Sequence, residues 1–223
     1  MKMTQEKVPL SRREARRQDR REAIIDVAMR FFLEHGYAAA SMSAIAAEIG
    51  GSKATLWSYF PSKEELFEAV LEKKTSEFRQ KLLLLLDPCG DAEQSLRNFC
   101  QRFIERVTAP DAIALHRLIM AECGRFPEIG RIFYERAPKA TERVLADFMR
   151  SMMDRGRLRS DDAESAAHLI VMLNMAGCHQ QLMLGLMEEA SPEMVAADAD
   201  RTMATFMRLY GVTRSGDGGG FSR

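Results

Sequence analysis

The sequence predicts an all-α protein, with a three-helix helix-turn-helix unit at the N-terminus and a larger helical domain behind it. Three observations carry this. Helix is the only sustained periodicity; there is no run of two-residue alternation and no Asn-Gly hairpin signal. Serines, aspartates and prolines stand where helices should start, and glycines where they should end. The 223 residues are 46% apolar, enough to bury a sizeable core and too many for bulk disorder.

The elements follow in order. Ser11-Arg12-Arg13-Glu14 reads as a capping box that opens a first helix, whose apolar stripe is Ile24, Val27, Ala28, Phe31 and Phe32. Gly36 is a natural stop for it. A short helix over 43–49 is ended by Gly50-Gly51, and another runs from Ser52 to Tyr59, with Pro61 closing it. Ser62-Lys63-Glu64-Glu65 is a second capping box. It opens a long helix with Leu66, Phe67, Val70 and Leu71 inside, reaching toward Leu86 before Asp87-Pro88-Cys89-Gly90 breaks it. Asp91 and Gln94 start the next, to Val107. Ala109-Pro110-Asp111 starts one that stops at Gly124, and Pro127 and Pro138 begin two more. Asp161-Asp162-Ala163-Glu164 opens a helix through the uncharged stretch 165–187, and Ser191-Pro192-Glu193 opens the last. The expected division is 1–65 for the helix-turn-helix domain (with a basic arm over 1–15), 66–212 for the larger domain, and 213–223 for a Gly-rich, disordered tail.

Composition narrows the class. Lys plus Arg and Asp plus Glu are 32 each, so the total charge is silent and its distribution must speak. Residues 1–21 concentrate Lys2, Lys7, Arg12, Arg13, Arg16, Arg17, Arg20 and Arg21 against only Glu6, Glu14 and Asp19. Such a run can be a phosphate-binding surface or simply a solvated face. Cys89, Cys100, Cys123 and Cys178 have neither CxxC pairing nor ligand spacing, so no metal site, cofactor or disulfide framework is expected, and reduced cytoplasmic thiols are the simplest account. No apolar segment of the signal-peptide kind follows the N-terminal charges. Ser165 to Met187 lacks Asp, Glu, Lys and Arg and approaches a bilayer span in length. His168, Asn174, Gly177, His179, Gln180 and Gln181 interrupt it, which favours a helix buried by protein over one buried by lipid.

The stretch 32–66 carries the chemistry. Two short helices separated by Gly50-Gly51 are what a helix-turn-helix needs, because a tight turn requires a residue that accepts positive φ. Ile45, Ala46, Ile49 and Leu56 can face a common core. The other face of the second helix offers Ser52, Lys53, Thr55, Ser58 and Tyr59, side chains of the phosphate- and base-contacting type. Ala23, Phe31, Gly36-Tyr37, Ser43, Ile45-Ala46, Gly50, Ser52-Lys53, Thr55-Leu56-Trp57, Tyr59-Phe60 and Ser62-Lys63-Glu64-Glu65-Leu66, taken together, closely resemble the tetracycline-repressor (TetR) family over residues 20–70. Two positions depart from it: Gly51 stands where a small apolar residue such as Val is usual, and Trp57 where Tyr is usual. The resemblance implies that Ser43 begins the supporting helix and touches the DNA backbone. It further implies that Ser52, Lys53, Ala54 and Ser58 face the major groove, and that Thr55, Trp57, Tyr59 and Lys63 contact phosphates. Each also has a plainer reading: Trp57 and Tyr59 as packing residues, Lys63 as a solvated charge, Ser52 as a helix cap.

Residues 114–122, Arg125-Phe126-Pro127-Glu128-Ile129 and Phe133-Tyr134 resemble an AefR-type C-terminal domain of the same family. Phe103, Leu115, His116, Met120, Asn174 and Cys178 are expected to line a ligand pocket in this half. Its Met-rich helices would suit apolar ligands as well as ordinary core filling. No Gly-rich loop, paired carboxylates or metal spacing accompanies its histidines and cysteines, so catalysis is not expected. A homodimer is expected, because a two-fold operator rewards a two-fold protein. Its interface would be a four-helix contact of Leu145, Phe148 and Met152 with Leu173, Gly177, Gln180 and Leu184. The expected function is a cytoplasmic transcriptional repressor that leaves a palindromic double-stranded DNA operator when a small, apolar effector binds. The alternatives are an activator, a ligand-independent architectural DNA-binding protein, or an all-α enzyme with an incidental helix-turn-helix.

Overall fold

A computed structural model describes residues 11–212. The first ten residues of the basic arm, Lys2 and Lys7 among them, and the tail 213–223 lie outside the described residues.

Those residues form eleven helices: α1 (Arg12–Ala39), α2 (Met42–Glu48), α3 (Lys53–Tyr59), α4 (Lys63–Leu85), α5 (Ala92–Val107), α6 (Pro110–Glu122), α7 (Pro127–Arg136), α8 (Pro138–Asp154), α9 (Ala163–Met175), α10 (Cys178–Met183) and α11 (Pro192–Tyr210). Local chemistry sets their starts. Ser11 and Glu14 close a reciprocal capping box. Ser41, Ser52, Ser62, Asp91 and Ser191 each accept the backbone N–H three residues on, satisfying a donor that the helix leaves unpaired. Pro110, Pro127 and Pro138 occupy first helical positions, where a missing N–H loses nothing.

Three elements differ from expectation. The first is α2, which begins at Met42 under a Ser41 cap; Ser43 lies inside the first turn and is exposed. In α1 the helix does not end at Gly36. Gly36 takes φ 81°, ψ 164°, and helical geometry resumes to Ala39. The uncharged stretch is two helices, because the chain breaks at Ala176-Gly177. The cause is Asp198 on α11, a buried carboxylate that accepts the Cys178 N–H at 2.6 Å and holds the start of α10. Among the described residues no helix is long and apolar enough to cross a membrane.

Two apolar cores result. One joins α1–α3 to Leu66, Phe67, Val70 and Leu71 of α4, and also to Leu115 and Ile119 of α6 and Ile129 and Ile132 of α7. It therefore extends well past residue 65. The other joins the end of α4 to α5, α8, α9 and α11. Leu145, Phe148 and Met152 are buried in this second core, packed against their own chain. They are not available to a partner, and that part of the expected dimer contact is corrected.

Candidate functional site

The turn between α2 and α3 is built by hydrogen bonds that only a left-handed residue permits. Gly50, at φ 66°, donates to the Ala47 carbonyl at 3.0 Å, and Gly51 donates to that of Ala46 at 3.2 Å. This Schellman closure ends α2 and turns the chain directly into the Ser52 cap of α3. Gly50 supplies the positive φ; Gly51 has no such duty.

Of the seven α3 residues only Leu56 is buried, and it pins the helix to the first core. Lys53, Ala54, Thr55 and Ser58 are exposed, Trp57 is 42% exposed, and Tyr59 is half-buried. Ser52 is occupied as the cap: its Oγ accepts from the Thr55 N–H at 3.1 Å and lies 2.8 Å from the Thr55 hydroxyl. Lys63 is turned inward. Its ammonium donates to the Tyr37 carbonyl at 2.9 Å and sits 4.0 Å from the centre of the Tyr37 ring. One of its N–H groups is thus committed within the fold, which the expectation of a phosphate contact did not foresee.

The basic face of α1 lies beside α3. The Arg17 guanidinium stands 5.6 Å from the Tyr59 ring and that of Arg21 5.0 Å from the Phe60 ring, while Arg20 borders the Gly51 turn. The charge run 12–21 therefore reaches the same surface as α3. No site residue was expected among these arginines, although the run itself was the signal.

Behind this unit, α6 touches everything that matters. At its end, Glu122 accepts the Tyr37 and Ala38 N–H groups, both at 2.7 Å. The unusual Gly36 geometry aims those two amides at one carboxylate. Burial and the neighbouring Glu64 carboxylate push the Tyr37 hydroxyl pKa above its usual value, so it stays protonated. In mid-helix, His116 meets His179 of α10, Nδ1 to Nε2, at 2.9 Å, and Arg117 donates to the Leu182 carbonyl.

Alongside α6 is a cavity of about 170 Å³. Its walls include Phe78, Phe103, Val107, Leu115, His116, Phe133, Val171 and Met175, with Lys74 and Arg106 as the charged groups. Of the residues expected to line a ligand pocket, Phe103, Leu115 and His116 line this cavity. Met120 is 69% exposed on the outer face of α6, and Asn174 and Cys178 are buried elsewhere, so these three are not pocket residues. Helix α9 turns Val171 and Met175 to the cavity, which faces Asn174 away from it. The break at Gly177 removes Cys178 from the α9 register altogether. Burial, then the proximity of His179, pushes the His116 pKa down to about 4, so its imidazole is neutral near pH 7.

A short solvent-facing helix, flanked by arginines and backed by a helical domain with an apolar cavity, defines a DNA-binding regulator. The comparisons agree. The family described as bacterial regulatory proteins, tetR family, matches residues 24–70, and the AefR-like transcriptional repressor C-terminal domain matches residues 94–212. The chain is similar to the HTH-type transcriptional regulator YhgD of Bacillus subtilis (strain 168), at 24% identity over 71% of this chain and 82% of that protein. Its fold matches the flavonoid-responsive regulator FrrA, with TM-score 0.76 and 31% identity, over 87% of this chain and 98% of that one. A TetR-family transcriptional regulator from Mesorhizobium loti MAFF303099 matches with TM-score 0.75 and 28% identity, over the same shares. The chain belongs to the TetR family, and it is a DNA-binding transcriptional regulator rather than an enzyme.

Proposed function

We propose that this protein is a cytoplasmic homodimeric repressor that holds a palindromic operator with α3 and leaves it when a small molecule enters the cavity beside α6. The exposed face of α3 carries the DNA-binding part of the reading: Lys53, Ala54, Thr55 and Ser58 lie on one helix that only Leu56 anchors. Lys53 and Ser58 would reach base edges, Thr55, Trp57 and Tyr59 phosphates, and Arg17 and Arg20 would extend the phosphate track. Ser52 would serve first as the cap, and Ser43 and Lys63 as contacts at the margin.

Release would run through α6. Leu115 and His116 face the cavity on the helix whose end holds the Tyr37 and Ala38 amides through Glu122. A ligand that fits better when α6 is displaced would loosen that grip and reorient α1–α3. Only such preferential binding can shift the equilibrium; moving a population from 99:1 to 1:99 takes roughly a 10⁴-fold preference. The identity of one relative as a flavonoid-responsive regulator supports small-molecule control. For the dimer, Leu173 on α9, Gln180 on α10 and Leu184 just past its end keep accessible surface, and Leu184 is 67% exposed. A second copy would cover them. Gly177, also expected at that contact, lies against Asp198 of its own chain.

Footprinting on the chromosomal region around the gene tests this. A discrete palindrome, lost in a folded Lys53→Ala/Tyr59→Ala double variant, is expected, with a salt dependence shallower by about one unit for each phosphate contact removed. Diffuse protection would point to an architectural protein, and wild-type affinity in the folded double variant would dismiss α3 as the reading element.

A further inference from the structure

We propose that the cavity takes a single-ring aromatic acid bearing a hydroxyl group, its hydroxyl donating to His116 Nε2 and its carboxylate facing Lys74 and Arg106. The inference rests on the cavity being the effector site, and it adds the ligand's chemical class.

Size comes first. An engineered apolar cavity of about 150 Å³ accommodates benzene. About 170 Å³ therefore suits one ring with short substituents. The walls suit a ring too, since Phe78, Phe103 and Phe133 line the space.

Charge comes second. Lys74 and Arg106 are the charged lining residues, and no carboxylate joins them on the wall. Both lean on a single Asp111: Arg106 through two contacts at 2.9 and 3.2 Å, and Lys74 at 3.6 Å. Two cations share one anion, leaving about one positive charge beside an apolar space. A ligand carboxylate would balance it.

The third point is the free ring nitrogen of His116. Its Nδ1 faces His179 Nε2 at 2.9 Å, so Nε2 takes no part in that contact. In the tautomer in which Nδ1 donates to His179, a neutral His116 presents Nε2 as an acceptor, and a ligand hydroxyl that donates there selects that tautomer. His116 lines the cavity, its ring set edge-on against Phe133. Arg106 lines the same cavity, so one small molecule can reach both.

Titration calorimetry on the full-length protein tests the class with 4-hydroxyphenylacetate, phenylacetate (no hydroxyl) and 2-(4-hydroxyphenyl)ethanol (no acid). The hydroxy acid should bind at least tenfold tighter than either analogue. His116→Phe should erase its advantage over phenylacetate, and Lys74→Met its advantage over the alcohol. Should His116→Phe fail to fold, imidazole ¹⁵N resonances of the wild type give the same answer: His116 Nε2 should respond to 4-hydroxyphenylacetate and not to phenylacetate. Equal binding of all three overturns the class while leaving the cavity a ligand site. Binding by none overturns the class as well. The role of the cavity is then decided separately, by whether Ala112→Phe, which fills it, still responds to a cell extract that releases the wild type from its operator.

Discussion

Gly36 and Glu122 constrain each other from both sides. At φ 81°, ψ 164° the backbone occupies a region that is essentially reserved for glycine. A Cβ on Gly36 would also lie 2.6 Å from Glu122 Oε1. Gly36→Ala should therefore lower stability by about 1–3 kcal/mol in denaturant titration and weaken operator binding with it. Glu122→Gln keeps the shape but turns an amide N–H toward a backbone N–H. A loss of about 1–3 kcal/mol is expected, with Tyr37 and Ala38 amides exchanging faster by hydrogen–deuterium exchange. The sequence signalled Gly36 as a helix stop, since a lone glycine after an apolar stripe reads that way. It could not signal Glu122, because the contact spans 85 residues and periodicity reports only local partners. His116 has a different signature. Its folded pKa, about 4, lies below the roughly 6.5 of a free imidazole. The unfolded chain then binds more protons between those values. Stability should be intact above pH 6.5 and fall as the pH drops toward 4, by on the order of 3 kcal/mol from this residue. His179, also depressed by burial, adds in the same direction. Thermal melts of wild type and His116→Phe should converge in that acidic window and diverge above it.

Among elements, legibility followed the reach of each signal. Caps and prolines act within three residues, and nearly every helix start was readable from them. The supporting helix starts one residue earlier than expected, at Met42, because Ser41 caps it and Met42 is buried in the first core. Division of the uncharged stretch into α9 and α10 was not readable, since its cause is a carboxylate on α11. At Gly177 a Cβ would collide with the Asp198 carboxylate. Gly177→Ala should displace that carboxylate, break the Cys178 hydrogen bond and lower the melting temperature, while sedimentation still reports the wild-type oligomer. The element's exposed partner, Leu184, behaves in the opposite way. Leu184→Glu should leave the fold and melting curve of the chain nearly unchanged but shift sedimentation toward monomer. A fully dimeric Leu184→Glu protein would remove α10 from the interface.

For the whole molecule, amphipathic pattern told which faces are buried but not by what. Leu145, Phe148 and Met152 have the stripe of an interface and use it on their own chain. The same ambiguity hid the most consequential feature of the architecture, namely that the core under the DNA-facing helices is finished by Leu115, Ile119, Ile129 and Ile132 from the regulatory side. Ile119 and Ile129 are almost completely buried there. The junction is thus part apolar core and part Glu122 carboxylate, and both parts belong to α6 and α7. This bears on interchangeability. Exchanging the DNA-reading head would be one way to change which promoter answers a given signal. In this protein a head cut at residue 60 or 65 would leave behind eight of the twenty buried residues of its core. It would also meet, in its new host, a surface never shaped to Tyr37. A transferable cassette has to include the matching faces of α6 and α7, and with them a wall of the cavity beside α6; under the proposed role of that cavity, specificity for promoter and specificity for signal would be inherited together.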